Sequence, residues 1–392
     1  MWRGLACLLV VCFHSSFYVA TPVLHTKVVE SPLSASVWDL ALVAIARCWI
    51  GVPIFFVISG YCIAATADSQ RLRGRPAATY FCRRFRRIFP PYWACVALAV
   101  LVVGAVGMLG APGLFSDADH EVPSPTSLGL SQWIGNLALI ETWRNAAFGG
   151  ERKLFLDHAW TLCYEEQFYL VVGLFLLLPR RWFFHLLALT SALVFLNAVN
   201  LNIRPVRMLG IDLNAWKLHC EGAFFDGRWL EFAAGLLLYY QVNYATRSQA
   251  WCISGLYVLG IVWAAWEPAR LGEFYANSAQ FRLTAFVAGL TLACLHPWDK
   301  AIATAAIGRA LAWCGRMCYS FYLVHWPVTK ATSHLLFSCG LTSPSSTLCI
   351  TIPVGVLASV LVAWPFHVLV ERQFLNTRTS ETVVKVAVAQ TV

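Results

Sequence analysis

Arg3 and His14 are ionisable side chains at the edge of, and inside, an apolar run that continues to Leu24. At about 100° and 1.5 Å per residue, the eleven-residue step between them is roughly three turns plus 20°, so a helix puts both on one face about 16 Å apart. One then lies at the water edge and the other at bilayer depth. A titratable group at that depth costs several kcal/mol unless it faces a wet cavity or protein interior, which makes His14 a candidate for proton chemistry, with a helix-packing histidine as the alternative. A second group, Arg83, Arg84, Arg86 and Arg87 in FCRRFRRIFPPYW, falls within an arc of about 160° on a helix. Guanidinium groups pair phosphates bidentately and stay charged, so this single face suits a phosphate-bearing ligand; a topology anchor or contact with anionic headgroups is the plainer explanation.

Further candidates lie in DHAWTLCYEEQFYLVVGLF, where Asp157, His158, Glu165 and Glu166 arrive as an apolar helix begins. Glu165 and Tyr169, four apart, share a helix face. An acid one turn inside such a helix needs a partner, and a histidine or arginine from another span is expected to supply it. His325 in GRMCYSFYLVHWPVTK places a second histidine at mid-membrane depth among Tyr319, Tyr322 and Trp326, which strengthens the case for a polar cavity. Asp226, Arg228 and Glu231 read as mutual ion pairs at one end of a span. The fourteen cysteines contain no C-x-x-C pair and mostly fall in apolar stretches, so they read as small packing residues and no metal site is expected. Cys220 and Cys339 both fall near the outer face, and a disulfide between them is left open.

The elements that must hold these groups are membrane helices. Hydrophobic residues are 59% of the chain and charged residues 12%, which excludes an ordinary soluble domain. Ten stretches are long enough to cross about 30 Å of hydrocarbon, near residues 4–24, 40–66, 91–110, 160–179, 182–201, 222–243, 251–268, 281–298, 311–337 and 345–370. The fold class is therefore all-α, a polytopic integral membrane protein of about ten transmembrane helices. Residues 1–375 form one membrane domain and 376–392 a short cytoplasmic tail, with no internal repeat. The first stretch reads as a retained anchor, because Val11 before Cys12 is a poor cleavage-site residue. With both ends inside, cytoplasmic segments carry sixteen Lys and Arg against eight outside. The net charge of +9 is thus a topology signal and not a nucleic-acid footprint. Residues 67–90 form a basic cytoplasmic connection, after which Pro90 and Pro91 are expected to open the third span. Residues 111–159 form a long outer segment with no evident helix or strand, and loops of that length are usually functional or partly re-entrant.

Seven of these pieces, RGLACLLVVCFH, GVPIFFVISGY, RRFRRIFPPYW, WTLCYEEQFY, FAAGLLLYY, GRMCYSFYLVHWP and VERQF, occur in the order found in the membrane-bound acyltransferase family 3, which the chain resembles from Arg3 to Phe374. That family includes bacterial O-acetyltransferases of surface polysaccharides. The resemblance implies a ten-helix core with functional roles for Arg3 and His14. It also implies contact between Arg83, Arg84, Arg86, Arg87 and an acyl-CoA donor from the cytoplasm, and a role for Glu165 after the W-T-L element. Pro53 stands where the family usually has aspartate, so any role for that acid is absent. No segment of these 392 residues is expected to form the extracytoplasmic hydrolase-like domain that some members carry.

The expected activity is transfer of an acyl group, in the first instance acetyl, from cytoplasmic acyl-CoA to a hydroxyl of a cell-envelope glycan or related carbohydrate or glycolipid. His14 is expected to act as general base, Glu165 to orient it or stabilise its charged form, and Arg3 with the arginine cluster to hold the donor's phosphates. His325 and Tyr169 are candidate substrate-binding residues. No bound cofactor is expected; acyl-CoA enters as co-substrate. Expected partners are the carbohydrate acceptor, membrane lipids and envelope polysaccharide-assembly proteins. The expected location is the bacterial inner membrane, with both termini cytoplasmic. The rival class is a polytopic transporter or flippase of a glycolipid or small polar substrate, which would show two related halves or paired broken helices; neither is found.

Overall fold

A computed structural model describes residues 1–23, 34–110, 112–115, 122–202, 207–208, 211–212, 227–266 and 273–375. Among these residues the regular structure is helical, apart from a two-residue antiparallel pairing of Arg207–Met208 with Ile211–Asp212. Helix α1, Trp2–Val23, has 22 residues and so a length of about 33 Å, enough to cross a bilayer. Helix α2, Val37–Ile45, starts at a capping box in which the Ser36 hydroxyl accepts from Asp39 N and the Asp39 carboxylate accepts from Ser36 N. A 3₁₀ turn, Ala46–Ile50, leads on into α3, Gly51–Leu72.

Helix α4, Ala77–Met108, is followed by α5, Leu130–Leu137, and α6, Glu141–Phe148. Next come α7, Trp160–Phe175, α8, Phe183–Asn202, α9, Trp229–Asn243, α10, Arg247–Trp266, and α11, Glu273–Leu295. Short α12, Asp299–Thr304, and α13, Ala306–Arg316, precede α14, Cys318–Ser338. Two π-helical turns, Thr347–Thr351 and His367–Glu371, flank α15, Ile352–Phe366.

Seven helical segments among the described residues are long and apolar enough to cross a membrane. With α7, α9 and α14 packed between them, they account for about ten spans of a multi-pass membrane protein. Leu101, Leu193, Leu259 and Leu361 are each more than half exposed, which suits contact with acyl chains. The core is aromatic. Phe168 stacks on Phe232 with centroids 4.5 Å apart and meets Trp229 at 4.6 Å, while Phe56 meets Phe232 at 4.6 Å, tying α3, α7 and α9 together. Arg71 of α3 and Arg180 just before α8 meet at one end of the bundle, the basic end.

Three boundaries differ from the sequence reading. Pro90 and Pro91 lie inside the 32-residue α4 and do not open it, so the arginines and the span share one helix of about 48 Å. A helix that long overreaches the hydrocarbon by several turns, which is how it carries a charged segment and an apolar one without a break. The stretch read as one span over 311–337 divides at Met317, and α13, with Arg309 and Arg316, is a separate helix at the basic end. The long outer segment has its own structure. Asn136 Nδ2 donates to Gln132 O and Lys153 O, Phe155 N donates to Asn136 Oδ1, and Tyr92 OH donates to Asn136 O, sewing the loop to α4. Arg228 pairs with Glu231 at 3.1 Å, as the ion-pair reading expected for those two. Asp226, Cys220 and the tail 376–392 lie outside the described residues.

Candidate active site

Helix α1 carries Arg3 and His14 through the middle of the bundle because glycines let its backbone approach its neighbours. A Cβ on Gly4 would stand 2.0 Å from Leu311 O in α13, and one on Gly51, at the head of α3, 2.5 Å from Ala6 O. Packed against α3, α13, α14 and α15, α1 turns Arg3 into a cavity of about 440 Å³ at the basic end.

That cavity gathers Arg3, Arg87 and Arg316 with Glu165, Tyr169 and Glu371. Glu165 Oε1 accepts from Ser59 Oγ at 2.8 Å and from Tyr169 OH at 2.6 Å. Arg84 lies 4.7 Å over the Tyr169 ring, with Nη1 3.5 Å from its hydroxyl. Glu371 accepts from Ser320 N and Oγ at 3.2 and 2.5 Å and meets His367 Nδ1 at 2.7 Å. Arg3 Nε is buried without a hydrogen-bond partner among the described residues. Three guanidinium groups against two carboxylates, one of them with an unanswered buried donor, suit an anion with several acceptor oxygens.

A second cavity, about 390 Å³ and almost wholly apolar, continues along α1 past Cys7 and Val10 to Tyr322 and His325. Phe55 borders both cavities. At the boundary the Cys7 and Cys318 sulfurs are 3.1 Å apart, Cys7 lining the apolar side and Cys318 the charged side.

Beyond it three imidazoles meet. The His14 and His325 ring centroids are 5.3 Å apart, and those of His158 and His325 5.2 Å. His325 Nδ1 stands 2.6 Å from Tyr322 O. A carbonyl only accepts, so Nδ1 holds the hydrogen, and in the neutral ring Nε2 is left with the lone pair. Nε2 of His325 and both ring nitrogens of His158 are buried with no hydrogen-bond partner among the described residues. Tyr322 OH donates to His158 O at 2.6 Å and is 2.8 Å from Thr161 Oγ1, fixing the turn that carries His158.

The structure therefore splits the candidates into two groups. Arg3, Arg87, Glu165 and Tyr169 converge on the charged cavity, with Arg84 behind Tyr169, and His14 meets His325 at the other end. The four arginines do not act as one face. The buried side of α4 runs through Tyr80, Arg84, Ile88 and Pro91, so Arg84 lies on it and Arg87 beside it, whereas Arg86, at the far edge of the arc, is exposed and donates to Gln373 O. Arg83 is likewise not among the residues lining the cavity. Glu165 takes its hydrogen bonds from Ser59 and Tyr169 and not from a histidine, because it sits at the arginine level of the bundle. Ser59, Arg316 and Glu371 were given no role by sequence reasoning, and His158 was named beside Asp157, Glu165 and Glu166 without a role of its own. The available signal was that His158 stands two residues before Trp160 of W-T-L and that Glu371 lies in VERQF.

The acyltransferase domain family matches residues 1–368. The exopolysaccharide production protein ExoZ of Rhizobium meliloti is 31% identical over 132 residues, 34% of this chain and 35% of that protein. The peptidoglycan O-acetyltransferase OatA of Listeria monocytogenes is 26% identical over 304 residues, 74% of this chain and 46% of that protein. The chain thus spans less than half the length of either relative. No solved structure matches it.

Proposed function

This chain belongs to the acyltransferase domain family, and on that premise we propose that it is a membrane O-acyltransferase that moves an acyl group, acetyl in the first instance, from acyl-CoA to a hydroxyl of a cell-envelope glycan. The names of the relatives, one for exopolysaccharide production and one for peptidoglycan O-acetylation, support a carbohydrate acceptor. The observation that carries the reading is the pair of cavities meeting at Phe55, one lined by guanidinium groups and the other reaching His325, whose ring lies beside that of His14, about 16 Å along α1 from Arg3. That is the layout a donor with phosphates at one end and a thioester at the other requires.

Arg3, Arg87 and Arg316 hold the donor's phosphates, and the apolar cavity takes the arm that carries the acyl group. His14, beside His325, removes the proton of the acceptor hydroxyl as its oxygen bonds to the thioester carbonyl carbon. The carbon–sulfur bond then breaks, and the coenzyme A thiolate leaves and takes up a proton. Positioned proton transfer of this kind contributes about 10²–10⁴ in rate. Glu165 is a positioning residue at the donor end, balancing Arg3 and fixing Tyr169. Arg83 and Arg86 act at longer range on the donor's charge. The Lys and Arg bias supports a cytoplasmic basic end with both termini inside, and the bacterial organisms of the relatives support a bacterial inner membrane.

The test is ester analysis of envelope glycans by mass spectrometry in cells expressing the chain, His14→Ala or Arg3→Ala. Ester groups present with the unaltered chain and lost in both variants at equal protein level are expected. Unchanged ester content in both variants would reject the reading.

A further inference from the structure

A third cavity, about 790 Å³, opens at the basic end between the turn joining α3 to α4 and the turn joining α7 to α8. Arg71, Arg75 and Arg180 line it together with Phe175, Leu177 and Phe183. The three arginines are not equivalent. Arg71 donates from Nε and Nη2 to Asp68 Oδ1 at 2.8 and 2.6 Å and from Nη1 to Arg180 O at 3.1 Å. Asp68 is buried and also accepts from Tyr239 OH at 2.8 Å and from Tyr244 OH, so Arg71 is a strut whose charge is already answered. Arg75 and Arg180 are exposed, and neither forms an ion pair with a carboxylate among the described residues.

Gly74 has φ +61°, and a Cβ there would come within 2.4 Å of Arg180 Nη2, so the guanidinium lies directly against the glycine backbone. Two guanidinium groups without a carboxylate partner among the described residues thus share the cavity with apolar side chains, of which Leu177 is itself exposed.

We propose that this cavity is a second phosphate site, taking a phosphoryl group with an apolar neighbour. Guanidinium forks match phosphate oxygens, and the Phe and Leu wall suits whatever is esterified to them. Two sources share that chemistry, the nucleotide end of an acyl-CoA and the headgroup of an anionic lipid. The cavity is distinct from that of Arg3, since six residues of α7 separate Tyr169 from Phe175, about 9 Å, and ten residues of α4 separate Ala77 from Arg87, about 15 Å. The nucleotide source rests on the acyl-transfer reading and the lipid source does not, and the test measures binding without turnover.

The experiment uses the full chain in phosphatidylcholine nanodiscs. Adenosine 3′,5′-bisphosphate is titrated calorimetrically, and phosphatidylglycerol retention is counted by native mass spectrometry. The Arg75→Gln/Arg180→Gln pair is expected to weaken one probe at least tenfold, whereas Arg73→Gln, on the same turn outside the lining, changes it less than twofold. Loss confined to the bisphosphate assigns the nucleotide end; loss confined to phosphatidylglycerol assigns the lipid. Unchanged binding of both probes in the double variant, or an equal loss in Arg73→Gln, would overturn the proposal.

Discussion

The Tyr322 carbonyl engages His325 through Nδ1, so any proton that this ring accepts goes to Nε2, the nitrogen buried beside His14 and His158. His325→Ala is therefore expected to lower kcat by about 10²–10⁴ while leaving the donor KM within a few-fold, measured as acyl transfer to a soluble sugar acceptor. An unchanged kcat would return His325 to ordinary helix packing. Tyr169→Phe tests the other end. It removes one of the two donors to Glu165, leaving the carboxylate with Ser59 alone, and is expected to cost about 1–3 kcal/mol in thermal unfolding and to raise the donor KM more than it lowers kcat. At this scale Arg3, His14, Glu165 and His325 were legible because an ionisable group inside an apolar run stands out on composition alone. His158 was harder to read, since it sits in a short turn at the mouth of α7, where a polar residue is unexceptional.

Helices here cross at glycines, and two of those contacts separate folding from positioning. A Cβ at Gly4 would stand 2.0 Å from Leu311 O, and one at Gly235, in α9, 2.0 Å from Val57 O in α3. Gly4→Ala and Gly235→Ala are each expected to lower stability by about 1–3 kcal/mol in a melting experiment, the usual range for overpacking. Only Gly4→Ala shifts the start of α1, so donor affinity should fall there and persist in Gly235→Ala; equal affinity in both would mean that α1 does not position Arg3. The loop over α5 and α6 depends on Asn136, which is buried and bonds three backbone groups. Asn136→Ala is expected to speed proteolytic cleavage between α5 and α7 with little change in the melting of the bundle. The continuity of α4 escaped sequence reading because a proline pair is a common helix opener, and nothing local says that the helix is already under way.

Among the described residues, the arginines of α3, α4 and α13 lie at one end and the Asn136-bound loop at the other. If the basic end faces the cytoplasm, a membrane-impermeant maleimide on intact cells should label Cys339, exposed just after α14, and spare Arg73→Cys, each tested as the sole exposed thiol. The reverse pattern would invert the topology. The number and rough extent of the spans were readable in the chain because a lipid-embedded helix must satisfy its own backbone hydrogen bonds, so length and hydropathy are local quantities. The 16 Å offset of Arg3 from His14 followed likewise from helix geometry. Which arginines point inward, that Glu165 answers to two hydroxyls, and that histidines from three separate segments meet beyond one apolar cavity were decided only by tertiary packing. Those meetings depend on the angle and depth at which distant helices cross, and the small residues that permit a crossing do not name the partner they will touch.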